Sequence, residues 1–276
     1  FSNSKIHLLT EKKFRFFFEK SNYFSKIIDD NRQNIFISFF VIAKIIFNRY
    51  DLIVDLQNSQ RTNSYNFFFR LFTNAKINGS RSNAHFKYIN QNRKKISATD
   101  GIFNQLQLIN VLEAEDNFNW LNTKIDTTKK NIVLLIPGVS KSGQKKQWSP
   151  YNYGELAKYF CKRNFLVIIV GTKSDIKTEK IIKKICPEII SKIDISPPEY
   201  IYSLAKISKL IVTNDTGPGH IAALSKSKIL WLALDNNVSK SNLPEKKFSF
   251  KVLNKNMSNI KTDTVIKFIE NQKLLN

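Results

Sequence analysis

The stretch "TNDTGPGHIAAL", residues 213–224, gathers the side chains best suited to chemistry. Asn214, Asp215, Thr216, Gly217, Gly219 and His220, one of only three histidines, lie together after an apolar run. Gly217 and Gly219 allow the backbone to turn tightly and come close to a ligand. A helix starting there would present unpaired N–H groups and a partial positive charge, which together suit an anion. Thr216 would add a hydroxyl, and a neutral His220 imidazole would donate an N–H to a phosphate oxygen. A plainer assignment competes: Asp215 and Thr216 cap the helix, and His220 is structural.

Two further stretches have the character of strand ends. "IPGVSKSGQKKQW" (136–148) carries Ser140, Ser142, Gly143, Lys145 and Lys146, whose hydroxyls and ammonium groups suit phosphate oxygens. The alternative is a solvated basic loop. In "VGTKSD" (170–175), Gly171 ends a strand and Asp175 would reach a ribose or sugar hydroxyl, or would merely start a helix. Arg61, Arg70, Lys76 and Arg81 offer cations to an acceptor phosphate, or form a solvated basic face. Cys161 and Cys186 are the only cysteines, too few for a metal-ligand set or a disulfide framework. They read as buried free thiols, and no metal or other cofactor is expected.

The elements that must position these residues alternate. Short apolar runs at "KIHLLT" (5–10), "FSKIID" (24–29), "YDLIVDLQ" (50–57) and "AKINGS" (75–80) read as strands, the third a buried one. Helical spacing predicts helices at 11–21, 34–47, 61–73 and 101–114. The alternation resumes with strands at 131–138, 165–171, 209–214 and 228–234. Between and after them come helices at 149–164, 174–186 (Ser174 as N-cap), 197–208, 219–225 and 262–275. Such alternation predicts parallel sheets with helices on both faces, where ligands bind at the carboxyl ends of the strands. Residues 83–99 are polar and basic, and 116–131 have few apolar residues and no period. The expected organisation is two doubly wound domains, residues 1–125 and 126–276.

Of 276 residues, 44 are Lys or Arg and 22 Asp or Glu, a formal net charge of +22. That excess points to an anionic partner: nucleic acid, an anionic membrane face or a phosphorylated substrate. A compositional cause competes, because the Lys-, Asn-, Ile- and Phe-rich usage is what AT-biased coding produces. The basic residues are scattered, and no zinc spacing, helix-turn-helix or RNA-binding aromatic motif is present, so a nucleic-acid partner is not expected. The apolar run at 34–47 carries Lys44 and falls short of the roughly 20 residues a spanning helix needs. The hydrophobic share, 42%, suffices for a core.

"SKLIVTNDTGPGHIAA" resembles the donor-site motif of the bacterial heptosyltransferases, glycosyltransferase family nine. "IPGVSKSGQKKQWSPYNYGELAKYF" is similar to that family's strand–loop–helix, and "YDLIVDLQNSQRTN" to a strand and turn of its acceptor-side domain. The resemblance implies the GT-B fold, two Rossmann-like domains facing a cleft. It implies transfer of heptose from ADP-heptose to the lipopolysaccharide inner core, with inversion and no required metal. Carried over by position, Ser140, Lys146, Asp175, Asp215, Thr216, Gly217, Gly219 and His220 would bind the donor. Lys146 would be catalytic, and Gln57 and Arg61 would lie on the acceptor side. The implied partners are a nucleotide-diphospho-sugar, an anionic glycolipid and, peripherally, the cytoplasmic face of the inner membrane. The chain departs from the family in three places. The first strand and its Gly-Asp loop, with the proposed general base, would precede Phe1, so the first domain is expected to be incomplete. Asn58 stands where Gly is common, and "LDNNVSKSNLP" (234–244) lacks the usual Gly-Pro turn. A non-catalytic relative that binds a nucleotide or a membrane is the alternative.

Overall fold

The computed structural model describes residues 4–32, 35–89, 96–113, 117–126 and 131–276. Parts of the basic stretch 83–99 and of the linker expected at 116–131 lie outside the described residues. Contacts divide the chain into Phe1–Trp120 and Leu121–Asn276. The division falls a few residues before 125/126, because Leu121 is buried and Ile125 packs on the core of the second unit. The Thr123 N–H also donates to Ser203 Oγ there.

In the first unit, β1 (His7–Thr10), α1 (Lys12–Glu19), β2 (Lys26–Asp29) and α2 (Ile35–Phe47) are followed by β3 (Leu52–Val54) and α3 (Gln60–Phe72). β4 (Lys76–Gly79), β5 (Phe86–Lys87) and α4 (Ala98–Gln107) complete it. β1 and β2 form one parallel pair, and β3, β4 and β5 a second parallel sheet. Val41, Ile42 and Ile45 of α2, Tyr65 and Phe69 of α3, and Ile28 and Ile77 of the strands make the core. The expected buried strand at 50–57 is corrected. Only Leu52–Val54 are extended and none of the three is buried, because β3 pairs with β4 alone. Its other side, with β1, bounds a cavity of about 430 Å³. The helix expected at 101–114 instead covers 98–107. Asn110 adopts a left-handed φ of 61° and the Val111 N–H turns back to the Leu106 carbonyl, which ends it.

The second unit runs β6 (Ile132–Ile136), α5 (Pro150–Cys161), β7 (Leu166–Gly171), α6 (Ile176–Ile185), β8 (Ile190–Ile193) and α7 (Pro198–Ile207). It continues through β9 (Leu210–Asn214), α8 (Gly217–Ala223), β10 (Ile229–Leu234), α9 (Asn237–Asn242), β11 (Ser249–Asn254) and α10 (Thr262–Asn271). All six strands are parallel, in the order β11-β10-β9-β6-β7-β8. Successive side chains of a strand point to opposite faces. Val133 and Leu135 therefore join one core with α5 and α10, while Ile132, Leu134 and Ile136 join another with α7 and α8. Burying one such side chain fully contributes roughly 1.5–3 kcal/mol. The chain leaves β6 towards β7 and β8, then crosses back to place β9 on the other side of β6. This reversal makes the carboxyl ends of β6 and β9 the switch point, where open sheets of this kind leave a crevice.

Ser174 is not the expected helix cap. Asp175 holds that position for α6, and Thr172 holds it for the 3-10 turn Lys173–Asp175 just before; the Thr172 N–H and hydroxyl both donate to Asp175 Oδ2, while Ser174 Oγ pairs with Thr172 Oγ1 at 2.7 Å. After β10, Asn236 caps α9 through the Ser239 N–H, in the stretch that lacks a Gly-Pro turn.

Candidate functional site

The loops leaving β6 and β9 meet at the switch point. A 3-10 turn, Lys141–Lys146, follows β6 and delivers Lys146 Nζ to Asp215 Oδ2 at 2.7 Å. His220 Nε2 lies 3.2 Å from Asp215 Oδ1. A carboxylate only accepts, so the proton of that bond sits on Nε2. The Asp215 side chain is 4% exposed, while those of Lys146 and His220 are 31% and 40% exposed. Burial pushes the Asp215 carboxyl up. Hydrogen bonds from His220 and Lys146, with the Lys146 charge, outweigh that and hold it below the usual carboxylate range. The result is a fixed anion that orients two donors at an accessible surface. An ammonium has three donors, so Lys146 keeps some for a ligand.

Buried polar groups fix this geometry. Asn214 Nδ2 donates to the Pro137 carbonyl at 2.9 Å and its Oδ1 accepts the Trp148 N–H at 3.0 Å, so one side chain pins both ends of the lysine loop to β9. Trp148 is wholly buried and donates its indole N–H to the Ile260 carbonyl at 2.7 Å. The His220 ring lies against Trp231, centroids 5.0 Å apart.

The two glycines of the expected tight turn act in different ways. No glycine among the described residues has a positive φ. A Cβ on Gly219 would sit 2.6 Å from Thr213 Oγ1 and 3.0 Å from the Trp231 ring, so Gly219 lets α8 pack closely on the sheet. A Cβ on Gly217 would meet nothing within 4 Å, which leaves backbone beside Asp215 bordering open space. Thr216 occupies the N-cap position, but its side chain caps nothing. Ser140 Oγ is 3.2 Å from Ser142 Oγ on the same loop.

Asp175 lies in the turn after β7. It is buried, accepts from Thr172, and packs so tightly that a Cβ on Gly138 would lie 2.6 Å from its carboxylate. Its evident work is to close the turn after β7 against the end of β6. In the first unit, Gln57 Oε1 accepts from Arg32 at 2.8 Å, and Arg61 donates to Ser38 Oγ at 2.8 Å and lies 3.4 Å from Asp30 Oδ1. The buried Asp30 also takes Arg32 at 3.1 Å and the Tyr65 hydroxyl at 3.0 Å. Sequence reasoning missed this Asp30–Arg32–Arg61 cluster. Its one signal was the acidic pair that ends a strand in "IIDD". Arg61 and Arg70 are not brought together: they lie at opposite ends of α3, about 13 Å apart along its axis. Arg81 is committed to the Asn58 carbonyl at 2.7 Å. Asn58 itself has φ 51°, a left-handed conformation that Gly takes freely and Asn tolerates.

Among the described residues, no group of three or more His, Cys, Asp or Glu is placed to hold a metal ion. Fold and site together define a Rossmann-like α/β protein of GT-B type with a cationic, carboxylate-braced cluster at the switch point of its second unit. Residues 105–232 match the model of glycosyltransferase family 9 (heptosyltransferase), so the resemblance carried by the motifs holds over the segment that contains the site. The chain is 26% identical to lipooligosaccharide heptosyltransferase 2 of Haemophilus ducreyi, over 74% of this chain and 65% of that relative. It thus spans just under two thirds of that protein. Among solved structures it resembles a glycosyl transferase of family 9 from Veillonella parvula, with a TM-score of 0.76 at 16% identity, covering 99% of this chain and 89% of the other. It also resembles an E. coli heptosyltransferase with ADP-2-deoxy-2-fluoro heptose, with a TM-score of 0.73 at 13% identity, covering 97% and 90%. At these identities the two structures establish the fold.

Proposed function

We propose that the chain is an inverting glycosyltransferase that moves a heptose or related sugar from a nucleotide-diphosphate donor, ADP-heptose in the leading reading, to a lipopolysaccharide-core or similar glycan. The observation that carries this is the Lys146–Asp215–His220 cluster at the switch point, beside open space at Gly217. Cleavage at the anomeric carbon leaves a nucleoside diphosphate, whose developing charge needs fixed donors; one such donor is worth about 3–4 kcal/mol. Lys146 would neutralise that charge. The hydroxyls of Ser140 and Thr216, and the backbone at Gly217 and Gly219, would line the diphosphate. Asp215 would hold Lys146 and His220 in position, since each of its oxygens accepts from one of them and its side chain is only 4% exposed. Asp175 would support the turn beside the donor. Gln57 and Arg61 would border the acceptor from the first unit, with an anionic glycolipid on the cytoplasmic face of the inner membrane as substrate. The ADP-2-deoxy-2-fluoro heptose of the solved E. coli heptosyltransferase supports the choice of nucleotide.

Calorimetry with ADP, and UDP as comparator, tests the donor assignment on the wild type, Lys146→Ala and Asp215→Ala. The expected result is micromolar ADP affinity that falls at least about tenfold in each variant, through loss of the Lys146 charge-assisted hydrogen bond in one and of the carboxylate that positions Lys146 and His220 in the other. Undiminished binding in both variants would place the nucleotide elsewhere. No binding of either nucleotide by a folded wild type would remove the transferase reading in favour of a relative that uses the fold differently.

A further inference from the structure

α2 and α3 turn an aromatic surface outwards. Phe36, Phe40 and Phe47 of α2 are 73%, 77% and 83% exposed, and Phe67, Leu71 and Phe72 of α3 are exposed beside them. The two stripes are continuous. Phe39 of α2 meets Phe68 of α3 edge to face at 5.8 Å, and Phe68 meets Phe67 at 5.5 Å. The exposed set follows helical spacing on each helix, while Val41, Ile42 and Ile45 on one and Tyr65 and Phe69 on the other point into the core. This is therefore a second apolar face on helices that already bury a first. Contiguous exposed apolar surface of this kind marks a contact with a partner or a membrane.

The charge around it selects between those. Neither helix contains an Asp or Glu, and Lys44, Arg49 and Arg70 are exposed at its margins. None of these three has an ion-pair partner among the described residues. Exposed phenylalanines flanked by unpaired cations complement an anionic bilayer, where rings enter the boundary between headgroups and acyl chains and cations meet lipid phosphates. Among the described residues no helix is long and apolar enough to cross a membrane, so the contact would be peripheral. We propose that the outer face of α2 and α3 is the surface by which the protein docks on an anionic lipid bilayer. The proposal extends the transferase reading by naming the face that meets the lipid, and it stands on this surface alone.

Vesicle flotation tests it, with phosphatidylglycerol–phosphatidylethanolamine vesicles against phosphatidylcholine vesicles. The proteins are the wild type, the triple variant Phe36→Ser, Phe40→Ser, Phe47→Ser, and the double variant Lys44→Glu, Arg70→Glu. Circular dichroism and ADP binding are measured on the same samples. The wild type is expected to float with the anionic vesicles and to be released by salt, and to bind phosphatidylcholine weakly. The triple variant is expected to lose about tenfold in partitioning, and the double variant to lose its preference for the anionic vesicles. Flotation of the folded triple variant equal to that of the wild type would overturn the proposal, as would failure of the wild type to bind. A wild-type dimer in sedimentation that the triple substitution dissociates, without vesicle binding, would assign the face to a second copy instead. Loss of ADP binding with flotation intact would count against the transferase reading and leave the docking surface in place.

Discussion

Asp215 is the residue on which the candidate site turns, and its chemistry dictates a pH dependence. Its folded pKa lies below the ordinary value, because the bonds from His220 and Lys146 outweigh burial. A group shifted in this direction stabilises the fold above its unfolded pKa, near 3.9, and that contribution is lost as pH falls through the folded pKa. Asp215→Asn keeps the shape and removes the charge. It is expected to cost on the order of 2 kcal/mol at neutral pH, the scale of a hydrogen bond to a charged group, and the deficit against wild type should shrink as pH falls below the carboxylate range. Urea unfolding of both proteins from pH 7 into acid measures this. A deficit that stays constant down to the acid limit would mean that the carboxylate does not act through its charge. The individual residues were legible in the sequence, since Asp, Thr, Gly and His beside a strand end stand out in a Lys-rich chain. Their mutual bonding was not. Lys146 and Asp215 are far apart in the chain, and only the crossing of β9 to the side of β6 makes them neighbours.

At the level of elements, the short helix α8 matters for how closely it lies on the sheet. Gly219 faces Thr213 of β9 and Trp231 of β10 with no room for a methyl group, whereas Gly217 faces open space. Gly219→Ala should therefore destabilise by about 1–3 kcal/mol through overpacking. Gly217→Ala should stay within about 0.5 kcal/mol of wild type. Denaturant midpoints of the two variants check the contrast, and equal midpoints would contradict the packing argument. The repeating strands and helices were readable because β6, β7, β9 and β10 of the second unit are nearly unbroken apolar runs, the mark of a sheet covered on both faces. β8 and β11 escaped because Ser and Lys interrupt them, as "ISKI" and "SFKVLN" show. β3 was read as buried from its apolar residues, but burial depends on what lies alongside, and one flank of β3 lines a cavity. The Asp30 cluster was equally hidden, since it joins residues from β2, α2 and α3 that no local pattern connects.

At the scale of the whole molecule, the net charge of +22 is both a partner signal and a cost. Like charges repel over roughly the Debye length, about 10 Å at 0.1 M salt, and the compact state concentrates them more than the unfolded chain does. Many of the ion pairs among the described residues lie at the surface: Arg163 with Glu270, Lys183 with Glu179 and Lys240 with Asp235 are such pairs, each worth about 0–1 kcal/mol. Asp215 with Lys146 and Asp30 with Arg32 and Arg61 are better shielded, but these are two carboxylates against a net charge of +22. Repulsion should therefore dominate the response to salt, and added sodium chloride should raise the melting temperature from low to physiological ionic strength and level off beyond it. Thermal melts monitored by circular dichroism at fixed pH test this. A melting temperature that falls with salt would show that attractive pairs prevail, and that the excess charge is arranged in complementary clusters rather than spread over the surface. A further rise that saturates at low phosphate concentration, against chloride at equal ionic strength, would show in addition that the folded protein binds phosphate at a defined place, because the general exclusion effect of phosphate grows with concentration without saturating. Lys146→Ala then decides whether that place is the switch point, because it should abolish the phosphate excess and leave the chloride response unchanged.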